Sequence, residues 1–251
     1  MVLSELALWT IILLELTCLF AYFLKGFSGF GPALVFIPVV AYLLDPKLAL
    51  ASSAFLDFLV GIAMLLTFKY SKTDWLLIAK ICSMMVVGIV LGGLIVSMMP
   101  VNTILLVIAI LVLLVGLNML IFSRTAPTGV KIKHPVLLYF MSFLSGLAGG
   151  IAGIAGPFII MVLKPNMDKS SFRRILTAVF VVGGFVRLIV YSSVEIFSKA
   201  VFTFSLLTAP AIIIGLLIGY YYHRTVNETW FSRIVGFILI AISARILWSQ
   251  W

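Results

Sequence analysis

Charge is what this sequence lacks most. Of its 251 residues 17 are Lys or Arg and 8 are Asp or Glu, so charged residues make up 10% of the chain, against about 25% in a soluble domain. That scarcity excludes an ordinary water-facing surface, and with it a soluble enzyme or binding module. Cysteine is also sparse. Cys18 and Cys82 both stand inside apolar segments, too few for a disulfide framework, and they read as buried apolar thiols. The two histidines, His134 and His223, fall in loops, and no H-E-x-x-H or Cys/His cluster accompanies them, so neither a metal site nor any other cofactor is expected. A P-loop is missing, so any transport would draw on gradients rather than ATP. Extended polar stretches are missing as well, with one exception at 123–135, "SRTAPTGVKIKHP".

What remains is apolar. The chain is 64% hydrophobic with a mean hydropathy of +1.29. Runs of roughly 18 or more apolar residues recur from end to end, the signature of an all-α integral membrane protein with many spans. The first run begins after Glu5 with neither a basic n-region nor a small-residue cleavage site, and is expected to belong to the mature protein. The net charge of +9 is assigned to cytoplasmic loops rather than to nucleic acid.

Ten apolar segments stand out: 6–24, 27–44, 49–68, 75–99, 103–122, 136–150, 151–163, 172–195, 200–222 and 230–248. The polar gap divides them near the middle of the chain, and the halves match faintly. Gly31-Pro32 recurs as Gly156-Pro157, Ser71-Lys72 as Ser198-Lys199, Gly88/Gly92 as Gly215/Gly219, and Val101-Asn102 as Val226-Asn227. These matches predict an internal duplication. The first repeat covers 1–122 and comprises a hairpin over 6–44 and helices over 49–68, 75–99 and 103–122. The linker is 123–135. The second repeat covers 136–251, with a hairpin over 136–163 and helices over 172–195, 200–222 and 230–248.

Lys and Arg in short loops set orientation. Arg124, Lys131 and Lys133 place the linker in the cytoplasm; Lys69 and Lys72 do the same for 69–72, and Lys164, Lys169, Arg173 and Arg174 for 164–174. Both termini then fall outside, in a cytoplasmic (inner) membrane. Residues 136–163 begin and end on one side, yet are too few for two crossings of about 20 residues each, so a re-entrant hairpin fits. A hairpin followed by three spans inverts the second half relative to the first. Inverted repeats with broken helices whose tips meet near the midplane form a transporter architecture.

The tips are "KGFSGFGP" and "GLAGGIAGIAGP". Irregular backbone at membrane depth is tolerated only where it is buried in protein or lines a cavity. Gly26, Gly29 and Gly31 in the first tip, and Gly149, Gly150, Gly153 and Gly156 in the second, allow a turn. Pro32 and Pro157 suit the first turn of the half-helix that follows, whose free N–H groups and positive dipole end favour an anion. Lys25 and the Ser28 hydroxyl add donors. The plainer reading is close helix packing, which is the one preferred for Gly88/Gly92 and Gly215/Gly219.

A Gly-rich motif, Pro and an apolar half-helix, then a Ser/Thr-bearing helix ("LALASSAFLDF", "RRILTAVFVV") in two copies resembles the TauE/SafE family of sulfite exporters. The resemblance covers essentially the whole chain. It implies a permease for a sulfur-containing anion such as sulfite, thiosulfate or an organosulfonate. The family pattern has more consecutive glycines than "GFSGFGP".

Other polar residues within apolar segments are weighed singly. Arg187 is always charged and can hold a sulfonate or carboxylate with two parallel hydrogen bonds; alternatively it pairs with Asp57. Asp57 and Glu15 are the candidates for carrying a coupling proton. Ser52, Ser53 and Thr177 hold matching places after each hairpin, as donors to an anion or bonded to their own helix. Trp9, Trp75, Trp230, Trp248 and Trp251 fall near segment ends, as an interfacial belt requires. The expected function is a secondary transporter moving a small anion by alternating access. An anion channel is the alternative, and a membrane-embedded enzyme a more distant one, since no nucleophile–base pair appears. The expected partners are the anion and the lipid bilayer; a coupling proton or cation and a homo-oligomer stay open. If the halves are inverted, Asn102→Cys is labelled from outside intact cells and Asn227→Cys from the cytoplasm. The same sidedness at both removes the inverted repeat.

Overall fold

The computed structural model describes residues 8–28, 31–121, 135–163, 167–222 and 228–249, leaving out the side chains of 28, 169 and 228–232. Among these residues there are ten helices and no strand: α1 (Leu8–Ser28), α2 (Ala33–Leu43), α3 (Pro46–Leu65), α4 (Lys72–Met98), α5 (Val101–Ile121), α6 (Pro135–Ala152), α7 (Gly156–Leu163), α8 (Lys169–Ser193), α9 (Lys199–Tyr222) and α10 (Glu228–Trp248). Each of the ten apolar segments becomes one helix, because a helix satisfies its backbone within the segment. Seven are long and apolar enough to cross a membrane: α1, α3, α4, α5, α6, α8 and α9. Trp9, Trp75 and Trp248 are exposed near helix ends, the places an interfacial belt occupies. The linker 123–135 lies almost wholly outside the described residues, as do Val226-Asn227 and both termini.

The breaks differ from the expected ones in one respect. α1 continues through Lys25 and Gly26 to Ser28, and α6 continues through Gly149 and Gly150 to Ala152. Gly26, Gly149 and Gly150 are therefore helical, and the second break is confined to 153–155. The arms around it are unequal. At 1.5 Å per residue, the 18 residues of α6 reach about 27 Å, close to a full hydrocarbon core, while the 8 residues of α7 reach about 12 Å.

The chain forms two compact units. One holds Met1–Ser53, Pro100–Arg124 and Ile196–Trp251, the other Ala54–Met99 and Thr125–Glu195, so α3 contributes to both. Within the first unit α1 packs along α9, α5 against α10, and α2 on α1, α5 and α10. Within the second α4 packs along α6 and α8, and α7 on α6.

The long seams are built from glycine. A Cβ on Gly88 would strike the Phe143 carbonyl, and one on Gly92 would lie 2.6 Å from the Leu147 carbonyl. The two helices therefore run in the same direction, with backbones in contact. The other seam repeats this: Gly215 faces the Leu19 carbonyl and Gly219 the Phe23 carbonyl. Gly26 meets Leu216 and Tyr220 of α9 as Gly150 meets Ile89 and Gly93 of α4. Without a hydrophobic drive between helices in lipid, such close approach supplies the van der Waals contact that holds them. In the α5–α10 contact, Gly116 faces the Gly236 carbonyl, Leu239 and Ile240, while Gly236 faces the Gly116 carbonyl, Met119 and Leu120. Each glycine faces the turn that follows the other, the pattern of two helices passing in opposite directions.

Caps mark where α4 and α8 begin. Ser71 and Asp74 form a capping box on α4, and Asp168 accepts from the Ser170 and Ser171 amides at the start of α8. The Ser171 amide, above all, holds the Asp168 carboxyl below its usual range, so this cap persists at neutral pH and is lost as acid protonates it. Arg174 grips Asp74 with Nε at 3.0 Å from Oδ2 and Nη2 at 3.3 Å from Oδ1, and the Tyr70 hydroxyl donates to the Arg174 carbonyl at 3.2 Å. The starts of α4 and α8 thus lie on one side, in keeping with basic loops 69–72 and 164–174 sharing a face.

The seams predict opposite outcomes for two glycines. A Cβ on Gly146 would overlap Met85 backbone, whereas one on Gly183 would meet only the flexible end of Met85, Cε at 3.4 Å, and Ile89 Cδ1 at 3.6 Å. Gly146→Ala is expected to destabilise by about 1–3 kcal/mol, despite a helix-propensity gain of about 1 kcal/mol. Gly183→Ala is expected to be neutral or stabilising. Thermal unfolding of the purified protein in detergent reads both.

Candidate functional site

The second break is a helix end. Gly153 has φ 71°, the left-handed region that glycine adopts without strain. Its amide donates to the Gly149 carbonyl at 2.9 Å, closing α6 with a C-cap turn, and the Ile154 amide reaches the Ala148 carbonyl at 3.4 Å. Further carbonyls at the end of α6 and in the break lack an intrahelical partner, and side chains of the same unit serve those of Gly150, Gly153 and Ala155. The Ser145 hydroxyl donates to the Ala155 carbonyl. Tyr191, fully buried on α8, donates to the Gly150 carbonyl at 2.8 Å and leans on that of Gly149 at 3.5 Å. Arg187, one turn earlier on α8, donates through Nη1 to the Gly153 carbonyl at 3.4 Å.

Arg187 also makes the deepest ion pair among the described residues. Its Nη2 lies 3.1 Å from Asp57 Oδ2, and the two side chains are 6% and 7% exposed. Asp57 comes from α3, so a buried cation and anion tie α3 and α8 to the tip between α6 and α7. In a low-dielectric setting such a pair is held by geometry and further hydrogen bonds rather than by a large net gain.

Gly156 opens α7 and differs from the seam glycines. A Cβ there would meet only Ile160 Cδ1 at 3.4 Å and Phe180 Cζ at 3.6 Å, ordinary contact distances. Among the described residues nothing requires glycine at this position, whereas Gly150 is pressed against α4 backbone.

The structure thus brings together Asp57, Gly153 and Arg187, with Gly156 three residues beyond Gly153. Thr177 is buried on α8, nearly three turns before Arg187. The remaining candidates belong to the other unit. Lys25 is buried near the end of α1, with Nζ 5.7 Å from the centre of the Tyr22 ring, a cation–π distance. Ser28 is the last residue of α1, with its side chain outside the described residues; Gly29 lies outside them altogether. Gly31 is half-buried ahead of Pro32. Ser53 donates to its own helix at the Leu50 carbonyl, 3.1 Å away. The buried Ser52 hydroxyl has no hydrogen-bond partner among the described residues, and Glu15 is half-buried along α1.

Tyr191 and Ser145 escape a reading that weighs ionisable groups alone. The available signal is spacing: Tyr191 follows Arg187 by four residues and so shares its helix face, and Ser145 stands in the Gly-rich arm itself. Tyr191→Phe removes the donor to the Gly150 carbonyl and is expected to cost about 1–3 kcal/mol of stability, read as a lowered unfolding temperature of the purified protein.

With the helices, the glycine seams and the Arg187-bearing tip in place, comparison with known proteins adds one match. No curated protein and no solved structure matches the chain significantly. The model of the family described as sulfite exporter TauE/SafE matches residues 14–246. The chain therefore belongs to the TauE/SafE sulfite exporter family, a family of membrane transporters, and is a multi-pass membrane protein.

Proposed function

We propose that this protein is a secondary transporter that carries a small sulfur-containing anion, such as sulfite, thiosulfate or an organosulfonate, across the cytoplasmic membrane by alternating access, without catalysing a reaction. The observation that carries the reading is Arg187: a buried, permanently charged donor that is bonded to the break between α6 and α7. A planar guanidinium can hold two oxygens of a sulfonate or sulfite at once. Gly156 supports the same site, since among the described residues none presses on the place of its missing Cβ, which leaves the first turn of α7 open to an oxyanion. In the other unit, Lys25, Ser28, Gly29 and Gly31 at the first tip and Ser52 with Ser53 on α3 are proposed to serve the anion as well, and Thr177 likewise on α8. The unpartnered Ser52 hydroxyl supports that role.

The packing supports duplication with inversion. Gly26 and Gly150 are 124 positions apart and Gly92 and Gly219 are 127 apart, yet they meet matching neighbours. The reciprocal Gly116–Gly236 contact between oppositely directed helices is what a two-fold axis in the membrane plane produces.

Transport in proteoliposomes tests the reading. A carrier saturates and shows counterflow, whereas conduction without exchange would identify a channel. Losing a charge-assisted hydrogen bond, worth about 1.5–3 kcal/mol, should make Arg187→Lys raise the half-saturating concentration roughly ten- to hundredfold. Gly31→Val should abolish transport with the protein still inserted, and Lys25→Ala should weaken it with some activity retained. Normal transport by Arg187→Lys removes the two-oxygen grip from the proposal.

A further inference from the structure

We infer that Phe180 sets which anions the site prefers: it gives the anion held at Arg187 an apolar surface for a carbon body, so that a sulfonate with a short hydrocarbon chain binds in preference to an inorganic sulfur oxyanion. The inference rests on the proposed role of Arg187 as the anion ligand and concerns the other end of the molecule bound there.

The break lies along α8, and this placement carries the argument. Arg187 donates to the Gly153 carbonyl at 3.4 Å. Further along the break, the place of a Cβ on Gly156 lies 3.6 Å from Phe180 Cζ. Phe180 precedes Arg187 by seven residues, close to two full turns, so the two side chains leave one face of α8 about 10 Å apart along its axis. The residues between them on that face are Gly183 and Gly184, so no α8 side chain stands between the cation and the ring. The side chains met beside this stretch are apolar. A Cβ on Gly183 would meet Met85 Cε at 3.4 Å and Ile89 Cδ1 at 3.6 Å, and one on Gly156 would meet Ile160 Cδ1 at 3.4 Å. Phe180 itself is half-buried, so the described residues leave part of its surface uncovered.

A site with a guanidinium at one end and an aromatic ring at the other discriminates by desolvation. Sulfite and thiosulfate are hydrated on every side, and an apolar wall offers their outer atoms nothing in exchange for the water they lose. A sulfonate keeps its charge at one end. Its oxygens face the guanidinium, and its alkyl carbons cover Phe180 and the side chains of Met85, Ile89 and Ile160. Each methylene moved from water onto such a surface favours binding about fourfold. The gain ends where the chain reaches the ring, and two turns of α8 set that limit at a few carbons.

The test titrates thiosulfate and the linear alkanesulfonates from methane- to hexanesulfonate into the purified protein in detergent, read by calorimetry. Wild-type affinity is expected to rise about fourfold per methylene over the short chains and then level off, with propanesulfonate bound more tightly than thiosulfate. Phe180→Ala should bind methanesulfonate nearly as wild type does and lose the gain with chain length. A residue that serves packing alone would lower every affinity alike. If Phe180→Ala does not fold, Phe180→Trp decides: its larger ring takes up length and should move the best probe to a shorter chain. A flat series in wild type overturns the inference, as does an unchanged slope in Phe180→Ala or an unchanged best probe in Phe180→Trp. Arg187→Gln separates the two levels. Affinity for methanesulfonate and thiosulfate unchanged in Arg187→Gln overturns the anion site itself, and a chain-length gain that persists there reports partition into detergent and overturns the role of Phe180. Lost affinity in Arg187→Gln beside a flat wild-type series keeps the anion site and discards the role of Phe180.

Discussion

A backbone that enters hydrocarbon must satisfy every N–H and C=O from within the protein. Among the described residues, the break at 153–155 is where the chain meets that constraint away from a regular helix. Two carbonyls at the end of α6 are met by the Gly153 and Ile154 amides, and the Gly150, Gly153 and Ala155 carbonyls by Tyr191, Arg187 and Ser145. All of these partners approach the acceptor side of the break. The donor side, the first turn of α7, is the end that carries the positive pole of a short helix. The same requirement brings Arg187 to this point, and through it Asp57.

Glycine does two different jobs in this chain, and residue type alone cannot separate them. Gly88, Gly92, Gly146 and Gly150 are small because a neighbouring backbone occupies the place of a Cβ. Gly153 is small because of its backbone conformation. Gly156 has neither reason. Sequence patterning distinguishes the seams well, since the i, i+4 spacing lies in uninterrupted apolar runs. It misassigns Gly26 and Gly150 to the turns, because a cluster of glycines before a proline does not reveal where the helix ends; only the backbone of α9 or α4 alongside does.

The rest of the site was legible in proportion to how rare each residue type is in an apolar chain. Arg187 and Asp57 stand out because a charge at membrane depth is costly and demands a partner, and they are indeed paired. Ten apolar segments become ten helices for a similarly strong reason. Hydroxyls give a weaker signal: Ser and Thr commonly bond back to their own helix, as Ser53, Ser142 and Thr208 do here. Ser145 and Tyr191 are exceptions that spacing suggests and contact establishes. The Asp74–Arg174 pair was hidden because a basic residue at a helix start already has a sufficient role in setting orientation.

The correspondence between the halves is uneven in an informative way. The seams repeat contact for contact: Leu19, Phe23 and Gly26 stand to α9 as Phe143, Leu147 and Gly150 stand to α4. Lys72 recurs as Lys199 at a helix start, but the charges deeper in the helices do not repeat. The positions 125–127 residues before Arg187 are Val60, Gly61 and Ile62, and those the same distance beyond Asp57 are Val182, Gly183 and Gly184. Lys25, 124 residues before Gly149, has no charged counterpart either. Backbone-to-backbone seams tolerate almost no added volume, since an extra methyl group collides with main chain that cannot rotate away. A charged side chain at a cavity can be moved or replaced as long as its partner is supplied. If the halves descend from one ancestor, the seams are the part that could not drift and the charges are the part that could. The symmetric element of this protein is then its scaffold, while the buried cation–anion pair at the second tip takes one member from each half, Asp57 from the first and Arg187 from the second, and has no repeated copy among the described residues.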